Sequence, residues 1–177
     1  MFRLVEGGEH LPQRATQHSA GFDVFANEDV VIGAGETVTI GLGIALDTEM
    51  YCFENVSQLP YDHVIKNNIK NFGDFLALHY LELHPRSSLR AKGIGGGVGI
   101  IDMDYRDEIK IVLSNLFNPH ISAGADYVPL ISTRPYHIKR GDKIGQLILK
   151  RHEGYLLPAQ YTLDAERTGG FGSTDEN

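Results

Sequence analysis

Four stretches of this chain combine residue types that suit chemistry on a phosphorylated, flat-ringed ligand. His84-Pro85-Arg86-Ser87-Ser88 sets a guanidinium beside two hydroxyls. With the N–H groups of a turn, such a set can hold phosphate oxygens. Residues 95–106, GGGVGIIDMDYR, put glycines ahead of an acid and an aromatic ring. Gly96 and Gly99 let a backbone approach a flat ligand closely, and a hairpin here would offer the N–H and C=O groups of Gly96 to Ile101, through Ile100, to a base edge. Asp102 follows two apolar residues, which suits a base in a partly dry pocket, and Tyr105 supplies a flat wall. Residues 140–147, RGDKIGQL, read as a turn entering a buried strand, with the Gln146 amide able to donate to a phosphate oxygen. Residues 167–174, RTGGFGST, join Arg167, Phe171, Gly172, Ser173 and Thr174 on a glycine-rich tail, the composition of a closing lid. Taken singly, each stretch has a plainer reading: a capped turn, a glycine-rich hairpin, an ordinary turn, a loose terminus.

The elements that must position these residues are mainly strands. Over 36–46, Val38, Ile40, Leu42, Ile44 and Leu46 alternate with small or polar residues, a period of two. Residues 109–114 repeat it. Further strands are expected at 22–25, 75–83, 131–138 and 144–150, with glycines and prolines between them. Many short strands with turn signals indicate an all-β fold, a sandwich or jelly-roll-like barrel. One segment departs: over 61–72, Tyr61, Val64, Ile65, Ile69 and Phe72 fall at helical spacing. Pro60 stands near the start and Gly73 just past the end, which predicts a short amphipathic helix. The tail 165–177 carries no apolar alternation and is expected to be mobile when nothing is bound.

With 177 residues and 42% hydrophobic content, one domain over 1–164 can bury a real core without staples. The single cysteine, Cys52, rules out an intrachain disulfide framework and suits a reducing cytoplasm. No apolar run approaches the roughly 20 residues of a membrane span, and the N-terminus lacks the apolar core of a signal peptide. No His/Cys pair has zinc-site spacing. A net charge of −7 argues against general nucleic-acid binding but not against a small polyanion.

Taken together, the chain resembles the dUTPase family. The first of five ordered motifs matches Ser19-Ala20-Gly21-Phe22-Asp23-Val24-Phe25-Ala26, and the other four match the stretches above. Ser88 and Asp107 stand where the family commonly has glycine, and Arg167 stands one residue nearer the paired glycines than usual. Residues 49–74 look like an insertion between strands that the family joins briefly.

The resemblance implies a distorted jelly-roll-like barrel of the β-clip type, with a short helix in the insertion. It implies hydrolysis of dUTP to dUMP and pyrophosphate in a bacterial or phage-infected cell, keeping uracil out of DNA and supplying dUMP. Asp102 matches the acid that activates water; Arg86, Ser87 and Gln146 match phosphate contacts, with Ser88 beside them. The main chain of 96–101 would read uracil, Tyr105 would exclude a 2′-hydroxyl, and Phe171 would stack on the base. Magnesium would be held mainly by the triphosphate and water rather than by a protein cage. A homotrimer with shared sites is implied, the tail arriving from a neighbour.

Two other readings compete. dCTP deaminase shares the fold, and Arg86-Ser87-Ser88-Leu89 looks somewhat like its serine-rich turn. However, Ile111-Val112-Leu113-Ser114-Asn115 lacks the acid that deamination needs. A regulatory protein is the other, with insertion 49–74 as the surface for a protein partner, as in some phage members of the family.

Overall fold

The computed structural model describes residues 2–47, 72–116 and 135–154, for 72–74 the backbone alone. Short antiparallel strands dominate. In chain order they are β1 (Phe2–Leu4), β2 (Phe22–Phe25), β3 (Val30–Ile32), β4 (Thr37–Gly41) and β5 (Ile44–Leu46). After helix α1 (Phe72–Leu78) come β6 (His79–Pro85), the single turn α2 (Ser87–Arg90), β7 (Ile94–Gly95), β8 (Gly99–Asp102), β9 (Lys110–Asn115), β10 (Tyr136–Ile138) and β11 (Lys143–Arg151). They form a four-stranded sheet β2-β11-β6-β8, a three-stranded sheet β4-β9-β7, and the pairs β1-β5 and β10-β3. The fold is all-β and jelly-roll-like; among the described residues the sheets stay separate rather than closing into one barrel.

One core joins the sheets. Ile40, Leu113 and Ile94 from the three-stranded sheet are buried with Leu81, Leu83, Ile144 and Leu147 from the four-stranded one. Each such side chain contributes about 1.5–3 kcal/mol on leaving water. Along β6 the alternation is strict: His79, Leu81, Leu83 and Pro85 point inward, while Tyr80, Glu82 and His84 face out.

The alternation over 36–46 is not one strand. It breaks after Gly41, because Gly43 adopts φ +68° and its N–H is taken by Glu108 Oε1 at 2.8 Å. A side chain at that φ is costly. The two halves serve different partners, β4 pairing β9 and β5 pairing β1. The strand expected over 75–83 begins only at His79. Ahead of it the chain is helical, and Phe75 and His79, one helical turn apart, stack at 4.2 Å while His79 Nδ1 meets the Phe75 carbonyl at 2.7 Å. Gly73 therefore sits inside α1 rather than past a helix end. The rest of the helix expected over 61–72, and residues 131–134 of the 131–138 strand, lie outside the described residues. The strands expected at 22–25, 109–114 and 144–150 match β2, β9 and β11 to within a residue or so.

Candidate functional site

The first group of candidate side chains forms where β6 ends. Arg86 follows Pro85 and donates its backbone N–H to the Ile144 carbonyl at 3.1 Å. The turn α2 is pinned by Leu89, which is buried, leaving Ser87 and Ser88 exposed. In register across the sheet, Asp23 of β2 faces Gln146 of β11, which faces His84 of β6. Asp23 is the hub: its carboxylate, 2% exposed, accepts from Gln146 Nε2 at 3.0 Å and Lys143 Nζ at 2.9 Å, and Arg86 Nε stands 4.0 Å away. Burial pushes the carboxyl pKa up, but the hydrogen bonds from Gln146 and Lys143 and the Arg86 charge outweigh it, and the group is held below its ordinary value. A carboxylate only accepts, so the Gln146 amide must turn its NH2 toward Asp23.

The second group lies on the glycine-rich stretch. It is not a hairpin: β7 pairs with β9 and β8 pairs with β6, so residues 96–98 carry the chain from one sheet to the other. Gly96 is required by this crossing, because a Cβ there would lie 2.2 Å from the Val112 carbonyl oxygen. Gly99, where a Cβ would meet Leu83 Cβ at an ordinary 3.5 Å, is not crowded. Among the described residues β8 is the edge strand of its sheet, with Ile101 buried and Ile100 61% exposed. Asp102 closes the strand, half-buried, opposite Tyr80. A turn follows, in which the Tyr105 N–H donates to the Asp102 carbonyl at 3.1 Å. The Tyr105 hydroxyl donates to the Glu108 carbonyl at 3.3 Å, and Arg106 clamps the Met103 and Tyr105 carbonyls. The Tyr105 ring, half-buried against the core, is thus a fixed wall.

The two groups do not meet within one chain. Gln146 pairs with His84, and Asp102 pairs with Tyr80, four residues along β6. At about 3.3 Å per residue and about 4.8 Å per strand, they are roughly 16 Å apart over the sheet face. The strip between them holds Glu82, which accepts from Tyr80 at 2.9 Å and from His84 Nε2 at 2.9 Å, and whose pKa those bonds lower. An ionised carboxylate there repels a polyphosphate lying across the face.

Arg167, Phe171, Gly172, Ser173 and Thr174, and nearly all of insertion 49–74, lie outside the described residues. Asp23 and Lys143 were not singled out from the sequence as site residues. The available signal for Asp23 was an acid inside the apolar run Phe22-Asp23-Val24-Phe25, since a buried charge needs a partner. Among the described residues no three His, Cys, Asp or Glu side chains gather to hold a metal ion, and no helix is long and apolar enough to cross a membrane.

Residues 77–125 match the family model described as dUTPase. A deoxyuridine 5'-triphosphate nucleotidohydrolase of Rickettsia akari is 32% identical over 171 residues, 93% of this chain and 87% of that protein. One from Paramecium bursaria Chlorella virus 1 is 32% identical over 178 residues, covering 97% of this chain and 94% of the viral protein. In fold, the chain is similar to a mutant dUTPase from phage phi11 of S. aureus, whose structure is described as revealing the coordination of a structural Mg(II) ion. Its TM-score is 0.59 at 20% identity, covering 93% of this chain and 96% of the phage chain.

Proposed function

This chain belongs to the dUTPase family and is a dUTP diphosphatase, and from that premise we propose that water activated by Asp102 attacks the α-phosphate of dUTP at a site closed between neighbouring copies. The water gives its proton to Asp102, the new P–O bond forms on dUMP, and the bond to the β-phosphate breaks to release pyrophosphate. Such a base contributes roughly 10²–10⁴-fold. Arg86, Ser87, Ser88 and Gln146 take the phosphates of the same nucleotide, stabilising charge on their oxygens.

The observation that carries the shared site is the separation of Asp102 from Gln146 by two strands and four residues, with Glu82 between. A triphosphate bound at Arg86 and Gln146 meets Asp102 of another copy, as in a closed cyclic trimer. The test mixes Asp102→Asn and Gln146→Leu proteins after joint unfolding and refolding. Each alone is nearly inactive, and mixed trimers regain about a quarter of the wild-type sites by random assembly. No regain on mixing places both residues in one chain and overturns the shared site.

Selectivity follows from edge and wall. As an edge strand, β8 has backbone groups turned away from β6, suited to reading uracil through the main chain of Gly96, Gly99, Ile100 and Ile101. Cytosine reverses donor and acceptor at that edge and leaves buried groups unpaired. Magnesium would be held mainly by the triphosphate and water, and when bound it would neutralise charge on the phosphates. The donor set fits a metal carried by the substrate, because Lys143 and Gln146 already occupy the Asp23 carboxylate.

The tail 165–177 acts as a lid in this account, with Arg167 and the Ser173 and Thr174 hydroxyls toward the phosphates and Phe171 over the base. A chain ending at Ala165 keeps its melting temperature and loses turnover by orders of magnitude; near-normal turnover removes the lid. Insertion 49–74 serves something other than chemistry, either packing on its own subunit or meeting a protein partner. Replacing 51–73 by a short linker leaves hydrolysis largely intact, and loss of activity in a folded oligomer contradicts this.

A further inference from the structure

The bonds that hold the Tyr105 ring are internal to its own turn. The Tyr105 N–H donates to the Asp102 carbonyl at 3.1 Å, its hydroxyl donates to the Glu108 carbonyl at 3.3 Å, and Arg106 closes on the Met103 and Tyr105 carbonyls. Residues 102–108 thus form one self-bonded unit, and its attachments decide where the ring stands. Asp102 ties one end into β8, opposite Tyr80, and Met103 is buried in the core. Arg3 adds a 3.4 Å bond to the Arg106 carbonyl. Glu108 holds the other end. Its neighbour Ile109 accepts from the Leu42 N–H at 3.1 Å and donates to the Ile44 carbonyl at 2.8 Å, so these two bonds bracket Gly43. This is the break between β4 and β5, and it leaves the Gly43 N–H outside the ladder, as a bulge does. Glu108 Oε1 takes that N–H at 2.8 Å, across 65 residues of sequence. A part-buried N–H without an acceptor is costly, so the bond fixes Glu108 as it satisfies Gly43. Gly41 keeps the path open, since a Cβ there would lie 2.5 Å from Glu108 Oε1.

Resting on the dUTP-hydrolysis reading above, we infer that Glu108 is a positioning residue whose side-chain bond to Gly43 sets where the Tyr105 ring stands, and with it how strictly a 2′-hydroxyl is refused. Its side chain grips the strand break and its carbonyl receives the tyrosine hydroxyl, so one residue joins the wall to the frame. A steric filter works only on stiff supports, and a site about 1 Å too loose loses its function. Glu108 acts by accepting a hydrogen bond, so an amide in its place serves as well as a carboxylate.

The test reads kcat/KM for dUTP and for UTP with magnesium, beside melting curves, in a cycle of Glu108→Ala and Tyr105→Ala. Tyr105→Ala is the reference and narrows the dUTP-to-UTP ratio at least about tenfold. Glu108→Ala narrows it about threefold or more in the wild-type background, and by less than about twofold once Tyr105→Ala is present. Glu108→Gln, which keeps an acceptor oxygen, holds the ratio within about twofold of wild type. A merely structural Glu108 lowers the melting temperature, or slows both substrates alike, with the ratio unchanged. That result overturns the proposal, as does a Glu108→Gln protein that behaves like Glu108→Ala. Should Glu108→Ala fail to fold, Gly41→Ala takes its place, because its methyl displaces the carboxylate while Glu108 is kept. The same narrowing then supports the proposal and an unchanged ratio sinks it. Narrowing by Tyr105→Ala alone counts only against Glu108. An unchanged ratio in Tyr105→Ala removes the ring as the filter and this inference with it, and absence of pyrophosphate from dUTP in the wild type counts against the enzymatic reading itself.

Discussion

Gln146 and Asp102 stand on one face of one sheet, two strands apart and four residues out of step. In the proposed mechanism, that offset divides the chemistry into a phosphate-holding group and a water-activating group. It also makes the two groups separable by mutation.

Asp102→Asn therefore keeps the fold and the affinity for dUTP while lowering kcat by roughly 10²–10⁴-fold. The check is a titration with a non-hydrolysable dUTP analogue beside steady-state turnover. Turnover within a few-fold of wild type removes Asp102 from the reaction.

Tyr105 is held by its own hydroxyl on the Glu108 carbonyl, so its ring is a rigid boundary. Tyr105→Ala narrows the gap between dUTP and UTP in kcat/KM. The ratio measured for both substrates decides it, and an unchanged ratio dismisses the ring as the 2′-hydroxyl filter.

Asp23 also gives a signature in stability. Its folded pKa lies below the ordinary 3.8, so its ionised form stabilises the native state above about pH 4, and this stabilisation is lost as pH falls through the lowered value. The melting-temperature gap between wild type and Asp23→Asn stays level from pH 8 to about pH 5 and closes below about pH 4. Calorimetry across that range checks it. A gap that does not narrow at all as pH falls below about 4 shows that the charge is not the stabilising feature.

Gly96→Ala forces a methyl carbon toward the Val112 carbonyl oxygen, 2.2 Å from where it would be placed. A cost of about 1–3 kcal/mol is expected, seen as a fall in the denaturation midpoint. Gly97→Ala, where no atom lies within 4 Å, is the matched control and leaves stability nearly unchanged. Equal effects would place the requirement elsewhere.

Much of this was legible in the sequence, for reasons that differ by element. Strands such as β9 and β11 announced themselves because one face is buried and period-two alternation follows directly. The ordered motifs placed Arg86, Asp102, Tyr105 and Gln146 on strands or turns that the structure also gives them. What escaped was non-local. The alternation over 36–46 runs past Gly43 without showing that β4 and β5 pair with different strands. Residues 95–106 carry hairpin-like glycines, yet β7 and β8 join different sheets. Asp23 looked like one more strand residue, because its partners Lys143 and Gln146 come from β11, 120 and 123 residues along the chain.

The central claim is tested most directly by pyrophosphate release, measured across dUTP, dTTP, dCTP and UTP with magnesium present. Rapid release from dUTP is expected, with the other three slower by about 10²-fold or more. A folded protein that releases no pyrophosphate from dUTP, or that liberates ammonia from dCTP instead, would contradict the account.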